Sequence, residues 1–409
     1  MHGGPSQTET FDPKMSAPAG VRSVTGEIPT SIPGVTFGST FERLAGLAEK
    51  LAIVRSYRSG DGNHDIKPVV MRETQGANLG SLMARVLGTN DRRTGMPTNA
   101  AVFPRAVDET AGQAITQFGK FEATGGLGSA YAPFVPGGGG DAAADMELRL
   151  ERGRLDDRRS LLTQLDRLRR RVDASGAMEG FDRFQDQAFS TLMGGVADAF
   201  DLGKEDPRTV ARYDTSGLVD PKSISKRWNN HSKYRDHSQT LGKLLLPPRR
   251  LCVAGCRFVT VTTSFVWAMP AHSNNATMEE GMQYVGRPFD HAVSAFVEDL
   301  HARGLDDRIL LVATGEMGRT PKVNAKGGRD HWGGLTPLLF AGGGMNVGQV
   351  IGQSSRDAGE PHTEPLSQQH LLSTLAYTLF DLGQLRLDTS IPGDVSRILM
   401  SGEPIPGLL

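Results

Sequence analysis

Three glycine-rich segments of the sequence carry the side chains best suited to chemistry: Ser59 to Asp65, Gly315 to Pro321 and Gly327 to Gly334. Each lies next to a short apolar run that predicts a buried strand. In an open α/β sheet, ligands bind beyond the carboxyl ends of the strands. Carboxylate and imidazole side chains together suit zinc, manganese or iron. The three segments are therefore candidate metal-binding loops.

The segment after the predicted strand Arg308 to Thr314 pairs a carboxylate with a guanidinium. Glu316 can ligate a hard or borderline cation, and Arg319 can clamp an oxyanion through two hydrogen bonds. The alternative is a local Glu–Arg surface pair that orders the loop. Spacing alone leaves both interpretations open.

The other candidate ligands lie in three further loops. Asp330 and His331 are flanked by four glycines, and such a pair can supply a ligand and the group that orients it. His64, with Asp61 and Asp65 beside it, follows the predicted strand Lys50 to Tyr57 and can act as ligand, acid or base. His272 follows the predicted strand Phe258 to Trp267, where the alternative is an exposed loop histidine without a partner.

The elements around these loops predict an α/β fold. Near-continuous apolar runs, such as Pro337 to Ala341 and the strands above, are typical of strands buried on both faces of a parallel sheet. Helical periodicity begins at Pro288 and stops at Gly304, directly before the strand at Arg308. That order is half of a βαβ unit, so we expect a mostly parallel sheet.

The middle of the chain has a different pattern. The segment Val135 to Gly140 predicts a flexible break, and Met146 to Val172 and Phe181 to Leu202 show helical spacing. We therefore predict one α/β domain over residues 1–409 with a helical insertion at about 140–250. His2 to Gln7 resembles the turn after a strand, whose strand would lie upstream of Met1; a loose terminal loop is the alternative.

Composition excludes several classes of protein. Among 409 residues, 45 Lys and Arg balance 46 Asp and Glu, so we expect no nucleic-acid partner. Two cysteines, Cys252 and Cys256, make neither a disulfide framework nor a complete zinc site. No apolar run reaches 18 residues, so no membrane insertion is expected, and no export signal is visible. The G-x-S-x-G, Walker A and H-E-x-x-H motifs are absent.

Several motifs in this order resemble a known family. They are HGGPSQTETFDPK (His2 to Lys14), VRSYRSGDGNHD (Val54 to Asp65), VATGEMGRTPKVN (Val312 to Asn324), GGRDHW (Gly327 to Trp332), LLFAGGG (Leu338 to Gly344) and GEPIPGL near the end. Together they resemble the bacterial domain of unknown function 1501, which is grouped by fold with the alkaline phosphatases and sulfatases. The resemblance covers nearly the whole chain and is specific for the family, not for a reaction.

The resemblance implies a three-layer α/β/α fold with a site of Asp, Glu and His ligands at strand ends. In that superfamily such ligands hold one or two divalent cations, here zinc, manganese, calcium or magnesium, which activate a nucleophile. By position, Glu316, His331 and His64 match superfamily ligands or lie near them, and Glu9 stands where relatives tend to have Asp. Ser59 is the nearest candidate nucleophile.

The sequence also departs from the family. Relatives carry W-D-x-H where this chain has Trp267 followed by Ala268, Met269 and Pro270, so two expected ligands are missing and His272 is the remaining candidate. We expect a metal-dependent hydrolase of phosphate or sulfate esters, acting on a small molecule or a glycan. The alternative is a catalytically degenerate anion- or glycan-binding or structural protein. The protein would be periplasmic or exported if an upstream signal exists, and otherwise cytoplasmic. The sequence carries no signal for an oligomeric state.

Overall fold

The computed structural model describes residues 1–65, 67–113, 115, 118–136, 196–263, 265–270 and 274–409. The strands in this part of the chain are β1 (Glu27–Pro29), β2 (Thr36–Gly38), β3 (Leu51–Val54), β4 (Asn99–Val102), β5 (Phe258–Val261), β6 (Leu310–Thr314), β7 (Gly318–Arg319), β8 (His331–Trp332), β9 (Leu338–Gly342) and β10 (Gln349–Ile351). The α-helices are α1 (Glu42–Gly46), α2 (Leu79–Leu87), α3 (Val196–Phe200), α4 (Pro207–Tyr213), α5 (His231–Ala254), α6 (Met278–Ala302), α7 (Gln368–Leu379), α8 (Leu382–Leu387) and α9 (Gly393–Met400).

The largest sheet among these residues has four strands in the order β10–β3–β9–β6. β10 and β3 are parallel, whereas β9 is antiparallel to both β3 and β6. The α/β class is confirmed, but the prediction of a mostly parallel sheet was wrong for this sheet. An apolar run indicates that a strand is buried on both faces. It does not indicate whether the strand runs parallel or antiparallel to its neighbours. The segment between β6 and β9 contains only the β7–β8 ribbon, and antiparallel neighbours need no crossover helix.

Both faces of β3 are buried, as its apolar run predicted. Leu51 and Ile53 of β3 belong to one hydrophobic cluster, which includes residues of α1, α5 and α6. Ala52 and Val54 belong to a second cluster, which includes residues of α2, α7 and α9. Successive strand residues point to opposite faces, so this alternation places helices against both sides of β3.

The two longest described helices differ from the sequence prediction in their limits. α6 begins at Met278, ten residues before the predicted start, where the hydroxyl of Thr277 accepts a hydrogen bond from the Glu280 amide at 3.2 Å. Pro288 therefore lies inside α6, although proline favours a first turn. Within the predicted insertion, residues 196–250 contain α3, α4 and most of α5, and 140–195 lie outside the described residues. No described helix has the length and apolar character needed to span a membrane.

Two buried carboxylates connect α5 and α6 to the segment that precedes α4. Arg249 donates to Glu205, and its Nε lies 3.1 Å from Oδ2 of Asp299. Arg303 donates to Oδ1 of Asp299 at 2.8 Å and to Oε1 of Glu205 at 2.9 Å. Burial alone would raise the pKa of Glu205, but the hydrogen bonds from Arg249 and Arg250 outweigh it and lower this pKa to about 2.

Replacing Asp299 should destabilise the protein strongly. Asp299→Asn leaves the buried Arg249 and the partly buried Arg303 with one carboxylate between them, so we expect a loss of about 3 kcal/mol in unfolding free energy. The matched control is Asp198→Asn, which breaks an exposed pair with Lys204 and should change the unfolding free energy little. Urea denaturation of both variants checks this, and equal losses would contradict it.

Asp290 of α6 makes stability depend on pH. Its carboxylate accepts hydrogen bonds from the amides of Arg43 and Leu44 at 3.0 and 2.8 Å, at the start of α1. Burial raises the pKa of Asp290 to about 6, and these amides offset only part of that effect. Between about pH 4 and pH 6 the folded state therefore retains a proton that the unfolded state has lost, and the contribution of Asp290 to stability falls as pH rises.

The side chain of asparagine does not titrate, so the Asp290→Asn variant should lack this decrease in stability with pH. The unfolding free energy of the wild-type protein minus that of the variant should decrease by about 2–3 kcal/mol between pH 4 and pH 7. Chemical denaturation at both pH values measures the difference. A difference that stays constant or increases would show that burial does not raise this pKa.

Candidate functional site

Strand register brings three predicted loops to one edge of the central sheet. β3 and β6 both run antiparallel to β9, so they point in the same direction and their carboxyl ends lie together. Val54 at the end of β3 and Thr314 at the end of β6 both pair with Leu338, the first residue of β9. The loops after β3 and β6 and the segment before β9 therefore meet, although one of the strands is antiparallel.

His64, Glu316 and His331 are in contact at this edge. Nδ1 of His64 lies 2.8 Å from Oε1 of Glu316, and Nε2 of His64 lies 3.1 Å from Nε2 of His331. The two imidazole rings are almost perpendicular, with centroids 4.4 Å apart. The structure thus brings together Glu316 and His331, which the resemblance matched to ligand positions, and His64, which it placed near them. The chain separates them by 252 and 267 residues from His64.

Glu316 is a buried carboxylate held by hydrogen bonds from two segments. The amide of Gly3 donates to Oε1 at 2.9 Å and to Oε2 at 3.1 Å, and the ring of His64 occupies Oε1 from the other side. Burial would raise the pKa of Glu316, but the hydrogen bond with His64 and the neighbouring imidazole charges lower it to about 2. An ionised carboxylate can only accept, so Nδ1 of His64 is the donor in this hydrogen bond, and Nε2 of the same ring faces His331.

Glycine allows the loops that carry the two histidines to approach closely. The amide of Gly60 donates to the carbonyl of Gly333 at 3.1 Å. A Cβ atom on Gly333 would overlap the backbone of Asp61, so no larger residue fits there without moving one loop.

Lys67 stabilises the conformation of the loop that carries His64. Its ammonium group is buried and lies 2.7 Å from Oδ1 of Asp61 and 2.6 Å from Oδ1 of Asp65. Burial would raise the pKa of Asp61, but the hydrogen bond and charge of Lys67 lower it. The two carboxylates that the sequence marked as ligand-type residues are thus paired with a lysine.

Sequence reasoning missed His2 as a site residue. Its ring is 4% exposed and packs edge-on against Phe121 and Phe265, with centroid distances of 5.4 and 5.0 Å. Burial lowers the pKa of His2 to about 4, despite the attraction of Glu316 and a hydrogen bond with the backbone of Phe118. The feature of the sequence that could have indicated His2 was the His2-Gly3-Gly4 turn. Gly3 has a φ of +112° and packs directly against the backbone of Trp267.

The guanidinium group of Arg319 binds backbone carbonyl groups and does not line an open site. It is fully buried, and its guanidinium donates to the carbonyl oxygens of Gly3, Gly4, Trp267 and Arg329. These contacts fix the His2–Gly4 segment that supports Glu316. A role in clamping a substrate oxyanion stays a prediction, and these contacts favour a positioning role.

The contacts of Glu9 are likewise structural. It is fully buried and accepts hydrogen bonds from Arg329 at 2.9 Å, from Ser23 at 2.8 Å and from the Val24 amide at 3.1 Å. This arrangement joins the N-terminal segment to the Asp330-His331 loop through an ion pair. The contacts of Glu9 therefore do not bring it to the cluster of His64, Glu316 and His331.

The remaining predicted residues lie apart from this cluster or outside the described residues. Asp330 is exposed, and its Oδ1 accepts from Asn324 at 3.0 Å. The buried hydroxyl of Ser59 bonds Thr336 at 3.0 Å and the Asp61 carbonyl at 3.3 Å, and no hydrogen bond among the described residues joins it to His64. His272 lies outside the described residues.

The donor atoms fit part of a metal site. Two nitrogens 3.1 Å apart approach the roughly 3.3 Å expected between two ligands of one tetrahedral zinc ion. In the part of the chain that the structure describes, no group of three or more His, Cys, Asp or Glu side chains is arranged to hold a metal ion. His64 and His331 therefore offer two ligands of such a site.

Gly333→Ala should disturb the contact between the two histidine loops. The added methyl group meets the Asp61 backbone, so we expect a loss of about 1–3 kcal/mol in unfolding free energy. Gly126→Ala is the matched control, because a Cβ there meets nothing within 4 Å and should change stability little. Chemical denaturation compares them, and a neutral Gly333→Ala would show that the loops are not packed this closely.

The sequence profile of a family described as Protein of unknown function (DUF1501) matches residues 1–389. The chain therefore belongs to this family, which confirms the resemblance seen in its motifs. No curated protein and no solved structure matches the chain.

Proposed function

We propose that this member of the DUF1501 family is a metal-dependent hydrolase of phosphate or sulfate esters, related in fold to the alkaline phosphatases and sulfatases. One observation carries the proposal: an ionised, buried Glu316 orients His64 so that its Nε2 faces Nε2 of His331. Carboxylate–histidine pairs of this kind orient imidazole ligands in metal enzymes. The burial of both faces of β3 by separate helical clusters supports the three-layer fold that the proposal assumes.

In this proposal, different residues have different roles at the site. His64 and His331 would hold the cation, and Glu316 fixes the tautomer and orientation of the His64 ring. Arg319 and Lys67 fix the segments that carry Gly3 and His64. A divalent ion held there would supply Lewis acidity and would lower the pKa of a water molecule.

The surroundings of the site suit an anionic ester. Phe118 and Phe265 stack with centroids 4.7 Å apart and form an apolar wall beside His64. The ammonium group of Lys233 lies 5.5 Å from the centroid of Phe265 and is partly buried, which lowers its pKa. An apolar wall restricts water, and a nearby cation attracts a phosphate or sulfate group.

A second candidate function is a degenerate family member that binds an anion or glycan without turnover. Ala268 and Pro270, which stand where relatives carry ligands, are both buried. The described residues also provide no complete set of three ligands. In that case restoring the ligands with Ala268→Asp and Pro270→His should raise metal affinity.

Metal content and hydrolysis test the proposal together. The wild-type protein should retain about one or two divalent ions per chain after equilibration with zinc, manganese, calcium or magnesium in turn. His331→Ala should lose the metal and at least about 100-fold in hydrolysis of nitrophenyl phosphate or sulfate, whereas Glu316→Gln should weaken metal affinity about 10–100-fold.

His237→Gln is the matched control. His237 is buried, whereas His331 is exposed, and Nε2 of His237 bonds the carbonyl of Val285 at 3.1 Å in the contact between α5 and α6. Its substitution should leave metal content unchanged. Metal content that is equal in wild-type protein and His331→Ala would sink the assignment, and retained metal without turnover would favour the second candidate.

A further inference from the structure

Lys233 is a half-buried lysine for which the described part of the chain provides no carboxylate partner. Its ammonium group donates one hydrogen bond, to Oδ1 of Asn230 at 3.1 Å. Burial lowers the pKa of Lys233, and no carboxylate among the described residues opposes that effect. An ammonium group has three donors, so a single neutral acceptor leaves most of this capacity open. Lys67 shows the usual solution, because its buried ammonium group pairs with the carboxylates of Asp61 and Asp65.

The start of α5 adds to the positive potential around Lys233. Lys233 is the third residue of this helix, and the first turn contains no acidic residue. A helix N-terminus carries a partial positive charge, which disfavours a lysine there and stabilises an anion. The N-cap residue Asn230 makes no side-chain hydrogen bond to the helix amides, because its Oδ1 accepts from Lys233. An anionic ligand would therefore be attracted by both the ammonium group and the helix.

Phe265 connects Lys233 to the histidine pair. Nζ of Lys233 lies over the Phe265 ring, 5.5 Å from its centroid, and the ring of His64 meets the same phenylalanine edge-on at 4.7 Å. Phe265 has a φ of +66°, in the left-handed region that bulky residues rarely adopt. Such a backbone persists only where the surrounding structure enforces it, and such residues cluster at functional sites. The fold thus holds one aromatic ring between neighbours that include both Lys233 and His64.

We propose that Lys233 binds the phosphate or sulfate group of the substrate beside His64 and His331, and that it determines the specificity of the site for a tetrahedral oxyanion. This inference rests on the proposed function, which places the ester at the histidine pair. A lysine ammonium is a point charge with rotatable donors, so it can bind a non-bridging oxygen of either anion. The stacked rings of Phe118 and Phe265 restrict water, which strengthens the attraction between opposite charges.

Anion binding tests the inference without relying on turnover. Wild-type protein and variants are titrated calorimetrically with inorganic phosphate and, separately, with inorganic sulfate. Lys233→Met keeps an unbranched side chain and removes the charge, and Lys233→Arg keeps the charge. The matched control is Lys226→Met, which removes the same charge from an exposed position earlier in the chain. We expect Lys233→Met to weaken binding of both anions at least about tenfold, Lys233→Arg to retain most of it, and Lys226→Met to behave as wild type.

The outcomes separate this inference from the proposed function. Unchanged anion binding in Lys233→Met overturns the inference, and so does wild-type protein that binds neither anion; the metal content and hydrolysis of the wild-type protein then decide the proposed function separately. Anion binding that depends on Lys233 in a protein that neither retains metal nor hydrolyses esters supports the inference and contradicts the hydrolase. Loss of anion binding in Lys233→Arg as complete as in Lys233→Met would show that shape, not charge, is recognised, and would also overturn it.

A second measurement applies if Lys233→Met does not fold. Wild-type protein is acetylated briefly with acetic anhydride, with and without inorganic phosphate, and the modified lysines are identified by mass spectrometry. We expect phosphate to slow acetylation of Lys233 severalfold and to leave acetylation of the exposed Lys226 unchanged. Equal acetylation of Lys233 with and without saturating phosphate overturns the inference.

Discussion

The hydrogen bond between Glu316 and His64 is the contact on which the candidate site depends. The same carboxylate accepts the amide of Gly3, so it joins the loop after β3, the loop after β6 and the N-terminal segment. A buried carboxylate is stable only when its oxygens are occupied by donors, and here the imidazole and the amide provide them. The position of His64 opposite His331 follows from that requirement.

Buried arginines provide the second constraint. Arg319 and Arg329 are both fully buried, and between them they bind carbonyl oxygens and Glu9 from segments more than 300 residues apart in the chain. Removing such charges from water is expensive unless every donor is satisfied. Their hydrogen bonds therefore specify how the N-terminal segment packs against the loops after β6. This packing places the amide of Gly3 within hydrogen-bond distance of Glu316.

Local sequence predicted much of this arrangement and missed what depends on long-range pairing. Apolar runs located β3, β6 and β9, and the loops at their ends supplied His64, Glu316 and His331. Strand direction was not predictable, because burial on both faces produces the same run in either direction. The roles of Glu9, Arg319 and Asp61 depend on partners remote in sequence or on which loop atoms point inward. His2 was interpreted only as part of a turn, because nothing local indicates that its ring packs against Phe121 and Phe265.

The tautomer of His64 in metal-free protein tests the central claim most directly. Histidine-selective ¹⁵N labelling and long-range proton–nitrogen correlation at mildly alkaline pH report which ring nitrogen carries the proton, and His64→Gln assigns the signal. Because Glu316 is ionised and lies 2.8 Å from Nδ1, we predict a proton on Nδ1 and an unprotonated Nε2 in wild-type protein. In Glu316→Gln this preference should weaken. A proton on Nε2 of His64 in wild-type protein would contradict the account, because that nitrogen could not then serve as a ligand.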